Sequence, residues 1–514
     1  ERFAKNTSYT AHNWLVVGRM RDGVSLARAR LDVSMLLRRL HAAVGDATWT
    51  FDGVAIGRRE QSVWSCKPWL LLVLGASGVL LLIACANVAN LLIARMAARE
   101  SEIAVRLAIG AGRARLAQQL LIETSLLSAI GCAGGVLFAA GGMRVLLALR
   151  PPLIPRVGEL RLDWRVLAFA MGLSAATAIG LGLVAAWRGA RGDVRTALSQ
   201  SQRTQGGGGA SYRVRGSLVV AQLAMTIVLL IGAGLLARSF VRLMTIDAGF
   251  RTRGMVVTAT AFDATTGSAG VPGLANVDIA RRTQYYDELA DRARMIPGVT
   301  GVGISDAAPF SGGSSNGTFV VLSSADVKLA PNDLEPLFRD KEHTGWATYR
   351  LASPEYFRAM NIPLLSGRVF DDGDRAGAPE VAVVSASLAK KQWPNESAIG
   401  KVIEFGNIDG DLTPLTIVGI VGDVREEDLA ADPQPAVYVS FRQRPGNSDD
   451  MYVIMSTAAE ARTITAARQA FRQIRSDVPM RWMTVEDIIG RSVASQRFML
   501  LLVGVFGAVA LLLA

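Results

Sequence analysis

Several aspartates stand close enough together in the sequence to suggest acid–base chemistry. Asp371, Asp372 and Asp374 flank a glycine, and Asp423 follows an apolar run. Two neighbouring carboxylates can move protons in catalysis. A turn is the simpler interpretation, because aspartate side chains in turns bond to the local backbone. The pattern supplies no positioned histidine or nucleophile. We therefore predict no catalytic residue here and no enzymatic activity.

Residues that bind metals and nucleotides in common motifs are sparse. The chain has three histidines and three cysteines, all far apart, which argues against a metal site or a disulfide framework. No P-loop pattern occurs, and Gly301-Val-Gly303 lacks the third glycine of a dinucleotide motif. We expect no cofactor on this chain, so that any ATP is bound by a partner subunit.

A different kind of site is predicted within residues 95–119, where charged and apolar residues recur at helical spacing. Glu102 and Arg106 are one turn apart in the order that stabilises a helix. Ile103 and Leu107 form an apolar strip beside them, and a Gly-Ala-Gly sequence then ends the helix. Two interpretations stay open, a helix lying on lipid headgroups and a docking helix for a cytoplasmic protein. The mixed charges favour the protein partner.

The elements that must position this segment are long apolar blocks. The chain is 50% hydrophobic and 19% charged, and the apolar residues are concentrated rather than spread evenly. A bilayer core of ~30 Å needs about 20 helical residues, which predicts five membrane spans. The predicted spans are residues 69–94, 120–143, 166–187, 216–237 and 498–514.

The spans fix which soluble parts share a side of the membrane. Residues 1–64 and 244–494 are separated by four spans, so both lie on the same side. The loops 95–119 and 188–215, on the other side, carry five and six arginines, against four in the loop 150–165. Arginine-rich loops stay in the cytoplasm, although Arg238 and Arg242 oppose this orientation. We expect the large soluble domain to be periplasmic. The formal net charge of +11 is assigned to helix ends rather than to nucleic-acid binding.

The two ends of the chain are similar to each other. A strand-like stretch at Trp14–Met20 and a helical pattern at Ser25–Ala43 precede the first span. Met451–Met455 and Ala459–Ile474 show the same order before the fifth span. We expect a tandem repeat of one unit, with both ends cut, joined by a flexible linker that contains four consecutive glycines.

The soluble region shows mixed strand and helix patterns, which predict an α+β domain. Predicted strands are Met255–Thr260, Val381–Ser385 and Leu415–Val421. Predicted helices are Arg281–Met295, Ser353–Met360 and Ser387–Trp393, with turns at Pro297-Gly298, Asp372-Gly373 and Pro394-Asn395.

Particular motifs resemble a known family. The sequence IAVRLAIGAGRARLAQQLLIE, after a span that carries ANVANLL, resembles the FtsX-like permease domain. RGSLVVAQLAMTIVLLIGAGLLARSF is similar to the first span of MacB-type ABC transporter permeases. SPEYFRAMNIPLLSGRVFDDGD, VAVVSASLAKKQW and IVGIVGDVREEDL resemble the MacB-like periplasmic core domain. The tandem arrangement resembles the duplicated orphan permease form of this family.

The resemblance implies α-helical FtsX-like spans plus an α+β MacB-like core domain. It also implies that ATP-driven closure of a cytoplasmic ATPase is transmitted through the spans to the periplasmic domains. Seven residues match the segment of the family that meets the ATPase: Arg99, Glu102, Ile103, Arg106, Leu107, Gly110 and Arg113. Expected partners are an ABC ATPase subunit, membrane lipid, and a periplasmic adaptor or outer-membrane channel, in a dimeric or pseudo-dimeric assembly.

The domain organisation follows from the repeat and the resemblance. Two function hypotheses remain open, an export or mechanotransmission permease of the inner membrane, and a membrane-anchored regulator of a periplasmic partner without solute transport. The expected boundaries are 1–64 for the end of a first core domain, 65–190 for an FtsX-like membrane domain, 191–213 for the Gly-rich cytoplasmic linker, 214–243 for the first span of the second unit, 244–494 for the second core domain and 495–514 for the start of the second membrane domain.

Overall fold

We describe a computed structural model of the chain. The residues described are 17–44, 55–57, 60, 67–98, 113–149, 163–191, 209–261, 279–311, 315–323, 326–328, 337, 343–405, 413–444 and 450–514. The chain divides into two compact units, each described separately below. One comprises Glu1–Gly57 with Leu243–Ser492, and the other comprises Arg58–Arg242 with Val493–Ala514.

The helices are numbered in chain order over the described residues. They are α1 Leu26–Val44, α2 Lys67–Ala98, α3 Arg113–Leu149, α4 Trp164–Arg191, α5 Gly209–Met244, α6 Ile279–Arg294, α7 Tyr356–Met360, α8 Ala386–Gln392, α9 Glu460–Ile474, α10 Val485–Ser492 and α11 Ala494–Leu513.

The strands are numbered in the same way. They are β1 Met255–Ala261, β2 Val299–Ser305, β3 Ser315–Leu322, β4 Thr344–Ala352, β5 Leu364–Gly367, β6 Val381–Ser385, β7 Val402–Glu404, β8 Leu415–Val421, β9 Ala436–Ser440, β10 Asp450–Thr457 and β11 Met480–Thr484.

The apolar helices make up the membrane unit. Three stretches of the described chain are long and apolar enough to cross a bilayer: Lys67–Leu91, Arg215–Met244 and Gln496–Leu513. The other two predicted spans, 120–143 and 166–187, fall within α3 and α4. These two segments are helical as predicted, and the count of five spans stays a prediction.

The membrane unit is held together by apolar side chains from three of its helices. Ala76 and Ile83 of α2, Leu229 of α5 and Ala510 of α11 form a buried cluster. Helices α3 and α4 also pack against each other. Most other large apolar side chains on these helices are exposed, which is the distribution expected where lipid replaces water.

The core domain, Leu243–Ser492, contains two subdomains. The first is an antiparallel sheet with strand order β11-β1-β10-β2. Helix α6 connects β1 to β2, and α9 connects β10 to β11, which is the split βαβ arrangement of ferredoxin-like folds. Leu289 of α6 and Phe471 of α9 are fully buried in the domain's core cluster, which also contains Val256 of β1. We call this part the split βαβ subdomain.

The second subdomain is inserted between β2 and β10. Six of its strands pair in the order β4-β3-β7-β8-β6-β9, and β9 pairs back with β4, so the strands close into a ring. The aromatic rings of Phe319, Tyr349 and Phe405 pack together in its interior in tilted and edge-to-face geometry, with centroids 5.5 Å apart in the pairs that Phe405 makes. Strand β8 alternates buried and half-buried residues, as a strand of a closed sheet does. We call this part the barrel.

The predicted elements of the core domain are confirmed, with shifted helix ends. Helix α7 begins at Tyr356 rather than at Ser353. The reason is that Ser353 bonds to β2 in both directions: its backbone N–H donates to the Ile304 carbonyl at 2.9 Å, and its hydroxyl accepts the Ile304 N–H at 3.1 Å. Helix α8 begins after Ser385, whose hydroxyl accepts the Leu388 N–H and caps the helix.

The helices of the predicted repeat are found, and the tandem repeat itself stays a prediction. Helix α1 confirms the predicted helix at Ser25–Ala43, and β10 and α9 confirm the corresponding elements near the other end. The strand predicted at Trp14–Met20 is not found at residues 17–20, which have neither helical nor strand structure, while residues 14–16 lie outside the described part. A strand forms only beside a paired neighbour, and no described strand pairs with residues 17–20.

Candidate functional site

The predicted coupling segment lies almost wholly outside the described residues. Arg99, Glu102, Ile103, Arg106, Leu107 and Gly110 fall between the end of α2 and the start of α3, and Arg113 is the first residue of α3. The segment therefore connects two apolar helices, as expected. Its helical form and its contacts stay predictions.

The aspartates of the DDGD sequence form a turn. The Asp371 carboxylate accepts the Gly373 N–H at 2.8 Å, which is an Asx-turn bond. Asp374 receives two hydrogen bonds from the guanidinium of Arg368, at 2.6 and 2.9 Å. Asp372 accepts a hydrogen bond from Arg442 at 2.7 Å. The turn interpretation is confirmed for these residues.

Asp423 also has a structural partner. Its carboxylate accepts the backbone N–H of Ser387, in the first turn of α8, at 2.8 Å. A carboxylate at this end of a helix satisfies a free N–H group and interacts favourably with the helix dipole. Within the described residues, no group of three or more His, Cys, Asp or Glu side chains is placed to hold a metal ion.

The glycines of Gly301-Val-Gly303 allow a helix to approach the sheet. They lie on the face of β2 opposite to Val302, because side chains alternate along a strand. A Cβ atom at Gly303 would lie 2.7 Å from the Cα of Tyr356, and one at Gly301 would lie 3.3 Å from the Cα of Ala359. The short helix α7 of the barrel thus packs directly on the backbone of β2.

Three charged residues lie close together where β2 meets the barrel, two with buried side chains and one, Asp306, that is half-buried. Asp306 directly follows β2, Arg350 lies on β4, and Glu426 lies in the loop between β8 and β9. Arg350 Nε donates to Glu426 Oε2 at 2.6 Å, and a second guanidinium nitrogen pairs with the same oxygen. Asp306 accepts the Leu351 N–H at 2.9 Å. The side chains of Arg350 and Glu426 are only 4% and 9% exposed. We call these three residues the charge cluster.

Burial shifts the pKa values within the charge cluster. Removal from water raises the pKa of Asp306 to about 6, although the positive charge of Arg350 acts in the opposite direction. Burial opposes the charged form of Arg350, but the carboxylates of Glu426 and Asp306 outweigh it and raise the pKa of its guanidinium. The pKa of the nearby Tyr356 hydroxyl is raised by burial and then by Glu426. Arg350 is therefore charged at any physiological pH.

The segment 245–254, which follows α5, lies against the loop that carries Glu426. We call it the strap. Arg425 N–H donates to the Ala248 carbonyl at 3.0 Å. Gly249 has a φ of +80°, and any side chain there would clash with the carbonyl oxygen of Asp423. The ring of Phe250 is buried, with its centroid 6.2 Å from that of Phe310.

The strap also contacts the rest of the core domain. Arg251 N–H donates to the carbonyl of Met360, at the end of α7, at 2.8 Å. The Gly254 carbonyl accepts the Thr457 N–H of β10 at 2.8 Å. Arg253 pairs with Glu486 of α10 at 3.7 Å, but both side chains are mostly exposed, so this pair adds little stability. The strap is thus bonded to both subdomains.

Polar residues on the apolar helices make contacts between helices, and Asn87 and Asn90 of α2 are among them. The Asn87 amide donates to the Leu513 carbonyl at 2.5 Å, and Gln222 donates to the same oxygen at 2.8 Å. Arg215 Nε donates to Asn90 Oδ1 at 3.1 Å. These bonds connect α2, α5 and α11 within the membrane unit. Side-chain hydrogen bonds of this kind stabilise helix association in lipid.

Six glycines on the described apolar helices face open space. In the described part of the chain, a Cβ atom added at any of six glycines would meet no other heavy atom within 4 Å. A Cβ atom added at Gly507 would instead lie 3.4 Å from the Leu230 side chain of a neighbouring helix. Open space around the six favours the view that they are ordinary membrane-helix residues. They are Gly75, Gly78, Gly131, Gly135, Gly232 and Gly234.

The charge cluster was missed from the sequence. Its three residues are at least 44 positions apart in the sequence, and they belong to no motif. One signal was present, since Arg350 interrupts an otherwise uncharged strand, TGWATYRLA, whose last six residues are all buried. A charged residue inside such a strand needs a buried partner. The sequence does not show which carboxylate supplies it.

Comparison with known proteins finds matches in both halves of the chain. The model of the MacB-like periplasmic core domain matches residues 217–474. The model of the FtsX-like permease C-terminal matches residues 74–194. Helix α5 covers the start of the second matched region.

Several curated proteins are similar over part of their length. The macrolide export ATP-binding/permease protein MacB of Salmonella typhimurium is 28% identical over 190 residues, which cover 37% of this chain and 28% of that protein. The protein of the same name from Bradyrhizobium diazoefficiens is 29% identical over 188 residues, covering 36% and 27%. The chain thus spans less than a third of the length of these relatives.

Solved structures show a more distant similarity. The periplasmic region of MacB from Actinobacillus actinomycetemcomitans is 14% identical, with a TM-score of 0.30, and the match covers 48% of this chain and 96% of that one. Because the core-domain model alone matches half of the sequence, and the permease model matches a second region, the chain belongs to the family of MacB-like and FtsX-like ABC transporter permeases.

Proposed function

We propose that this chain is the permease subunit of an ABC-type export or mechanotransmission system. In this proposal, ATP hydrolysis on a separate cytoplasmic subunit moves the core domain in the periplasm. The observation that carries the proposal is the combination, on one chain, of an FtsX-like region at residues 74–194 with a MacB-like core domain at 217–474. The relatives are named as macrolide export proteins, which favours export as the class of activity.

The proposed location is the bacterial inner membrane, crossed several times. The three apolar helices of membrane-spanning length support it. The arginines of loops 95–119 and 188–215 support a cytoplasmic location for those loops. The core domain is then periplasmic, where an adaptor or an outer-membrane channel is its proposed partner. We also propose a dimeric or pseudo-dimeric assembly through the duplicated units.

The proposed contact with the ATPase is the segment from Arg99 to Arg113. It connects α2 to α3, so a displacement of this segment would be transmitted to two membrane helices. Its apolar strip, Ile103 and Leu107, is the part suited to a protein surface. A cytoplasmic ATPase subunit, rather than lipid, is the proposed occupant.

Substitutions in this strip test the proposal. Ile103→Asp or Leu107→Asp should reduce co-purification of the full-length protein with its ATPase about tenfold, because a charge is placed in an apolar contact that contributes roughly 1–3 kcal/mol. Val105→Asp is the matched control, since residue 105 faces the opposite side of the predicted helix. If both strip variants retain as much ATPase as the control, the docking proposal is wrong.

A second candidate function is supported by the FtsX-like match itself. The chain would then be a membrane-anchored regulator that moves a periplasmic partner, such as a cell-wall hydrolase, without exporting a solute. The genetic neighbourhood discriminates the two. Genes for an ATPase and an outer-membrane channel beside this one favour export, and a hydrolase gene in their place favours regulation.

A further inference from the structure

One face of α5 carries exposed apolar side chains and then two arginines. Ile231 and Leu235 are 57% and 62% exposed. Arg238 and Arg242 follow them at helical spacing, toward the end of the helix, and both are exposed. Leu229, by contrast, is buried among the helices of the membrane unit. Arg238 lies nine residues after Leu229, which places it on the opposite side of the helix. The two arginines therefore face away from the core of the membrane unit.

The depth of these arginines corresponds to lipid headgroups. Residues 216–237 of α5 carry no charge, and this stretch is about 33 Å long at a rise of 1.5 Å per residue. It matches the hydrocarbon core of a bilayer, which is ~30 Å thick. Arg238 and Arg242 begin where the uncharged stretch ends, so they lie in the layer that contains the lipid phosphates.

Helix α11 has an arginine at the same level. The two helices run antiparallel, because Gln222 donates to a carbonyl in the last turn of α11, whereas a Cβ atom at Gly507 would lie 3.4 Å from the Leu230 side chain. Measured from this contact, Arg238 and Arg497 lie about 12 and 15 Å further along their helices. Arg497 is also exposed. We call the three residues Arg238, Arg242 and Arg497 the basic band.

Neither helix carries an acidic residue near the basic band, since α5 and α11 contain no Asp or Glu. A helix dipole stabilises positive charge in the last turn only, which accounts for Arg242 but not for Arg238. Arg497 lies in the first turn of α11, where the dipole disfavours a positive charge. The position of these charges thus favours an anion from outside the two helices.

The acidic residues nearest in the sequence already bond within the core domain. The Asp247 carboxylate accepts a backbone N–H of the strap at 2.9 Å. Glu486 pairs with Arg253 at 3.7 Å. The Asp487 carboxylate accepts a backbone N–H three residues before it at 3.4 Å. These carboxylates have structural roles of their own.

We infer that the basic band is a headgroup site for anionic phospholipids, in the leaflet at this end of the helices. Guanidinium groups bind phosphate through paired hydrogen bonds, and a headgroup with a net negative charge complements the band. The inference also explains why Arg238 and Arg242 oppose the predicted orientation, because a bound anion stabilises them on either side of the membrane. It rests on the proposed membrane location of α5 and α11, but not on an ATPase or on export.

A lipid titration of the full-length protein in detergent tests the site. Dioleoylphosphatidylglycerol is compared with dioleoylphosphatidylcholine, which has the same acyl chains and a phosphate but no net charge. The melting temperature is followed as each lipid is added. Phosphatidylglycerol should raise it at a lower concentration than phosphatidylcholine. Inorganic phosphate at the same concentration should leave it unchanged, because it has no chains to lie along Ile231 and Leu235.

Variants of the basic band measure the contribution of each charge. Arg238→Gln combined with Arg242→Gln should raise the phosphatidylglycerol concentration needed for half of the effect about 25-fold, and Arg497→Gln should raise it about fivefold, since each arginine near anionic lipid contributes about fivefold. Lysine at positions 238 and 242 keeps the charge and should retain most of the effect. The matched control is Arg468→Gln with Arg472→Gln, an exposed pair with the same spacing on α9.

The possible outcomes separate the site from the membrane location. Equal stabilisation of the unmodified protein by the two lipids would overturn the headgroup site, while the membrane location would stand. A control pair that weakens the titration as much as the α5 pair would also overturn it. Stabilisation by inorganic phosphate to the same extent would exclude a lipid as the occupant. No response to either lipid would contradict the membrane location as well.

Discussion

At the scale of single residues, the core domain contains charged side chains that are buried away from water. Moving an ion pair out of water costs several kcal/mol, so it persists only with good geometry and additional hydrogen bonds. Arg350 has both, with two contacts to Glu426 and a third hydrogen bond, at 3.3 Å, to the Tyr349 carbonyl. The ionised form of Asp306 lowers the stability of the folded state, because burial raises the pKa of this carboxyl to about 6.

The raised pKa of Asp306 predicts a pH dependence. A carboxyl whose pKa is raised on folding contributes stability that is fully present below its unfolded value of 3.8 and is lost as the pH rises through about 6. The shift of about two pKa units corresponds to about 3 kcal/mol. Asp306→Asn does not titrate, so the wild-type protein should lose up to about 3 kcal/mol relative to this variant between about pH 4 and pH 7.

Thermal unfolding of the full-length protein in detergent measures this difference. The melting temperature of the core domain is followed for the wild type and for Asp306→Asn over the same pH range. Asp326→Asn serves as the control, since the pKa of this exposed carboxyl is lowered by bonds to Ser323 rather than raised. If the melting temperatures of the wild type and of Asp306→Asn change in parallel with pH, Asp306 is not protonated in this range.

The sequence predicted the acids of the DDGD turn better than those of the charge cluster. The turn at Asp371–Asp374 is largely a local feature, because the bonds of Asp371 and Asp374 join residues within six positions of each other, and local bonding follows from residue type. The partners of Arg350 come from two other regions of the chain, Asp306 and Glu426. Which charges become buried together is decided by tertiary packing, and a single sequence does not contain that information in a readable form.

At the scale of elements, the packing of α7 on β2 depends on two glycines of β2, which have no side chain. The backbones approach so closely at Gly303 that a methyl group would lie 2.7 Å from the Tyr356 Cα, whereas the space at Gly301 is wider, at 3.3 Å. Distances under 3 Å to backbone atoms cannot be relieved by a side-chain rotation. Gly303 is therefore the position on which the separation of the two elements depends.

Alanine substitutions test this packing. Gly303→Ala should lower the free energy of unfolding of the core domain by about 1–3 kcal/mol, because overpacking forces the backbones apart. Gly301→Ala should cost less, because a shift of a few tenths of an ångström accommodates it. Chemical denaturation of the two full-length variants measures the difference. Equal losses, or a larger loss for Gly301→Ala, would contradict the role given to Gly303.

Elements were predicted from the sequence more reliably than their arrangement. Strands such as Val381–Ser385 and Leu415–Val421 have apolar β-branched residues between turn signals, and both were found at the predicted bounds. The closed ring was not predicted, because it depends on the pairing of β4 with β9, whose paired residues are 88 positions apart in sequence. Strand pairing at that separation leaves no local pattern.

At the scale of the whole molecule, the family assignment and the chain order support one account. An FtsX-like membrane region precedes a MacB-like core domain on one chain, and α5 and the strap lead into the strands of the core domain. Under the proposed function, motion starts at the loop near residue 105, passes through the membrane helices and reaches the core domain. The loop and the core domain must then lie on opposite sides of the membrane.

Limited proteolysis of intact spheroplasts tests this central claim most directly. Protease added outside should cut within the core domain near residue 300 and leave the segment near residue 105 intact, as detected with antibodies to tags placed beside each position. After the membrane is permeabilised, the segment near residue 105 should also be cut, which controls for its sensitivity. Cleavage near residue 105 and protection near residue 300 in intact spheroplasts would contradict the account.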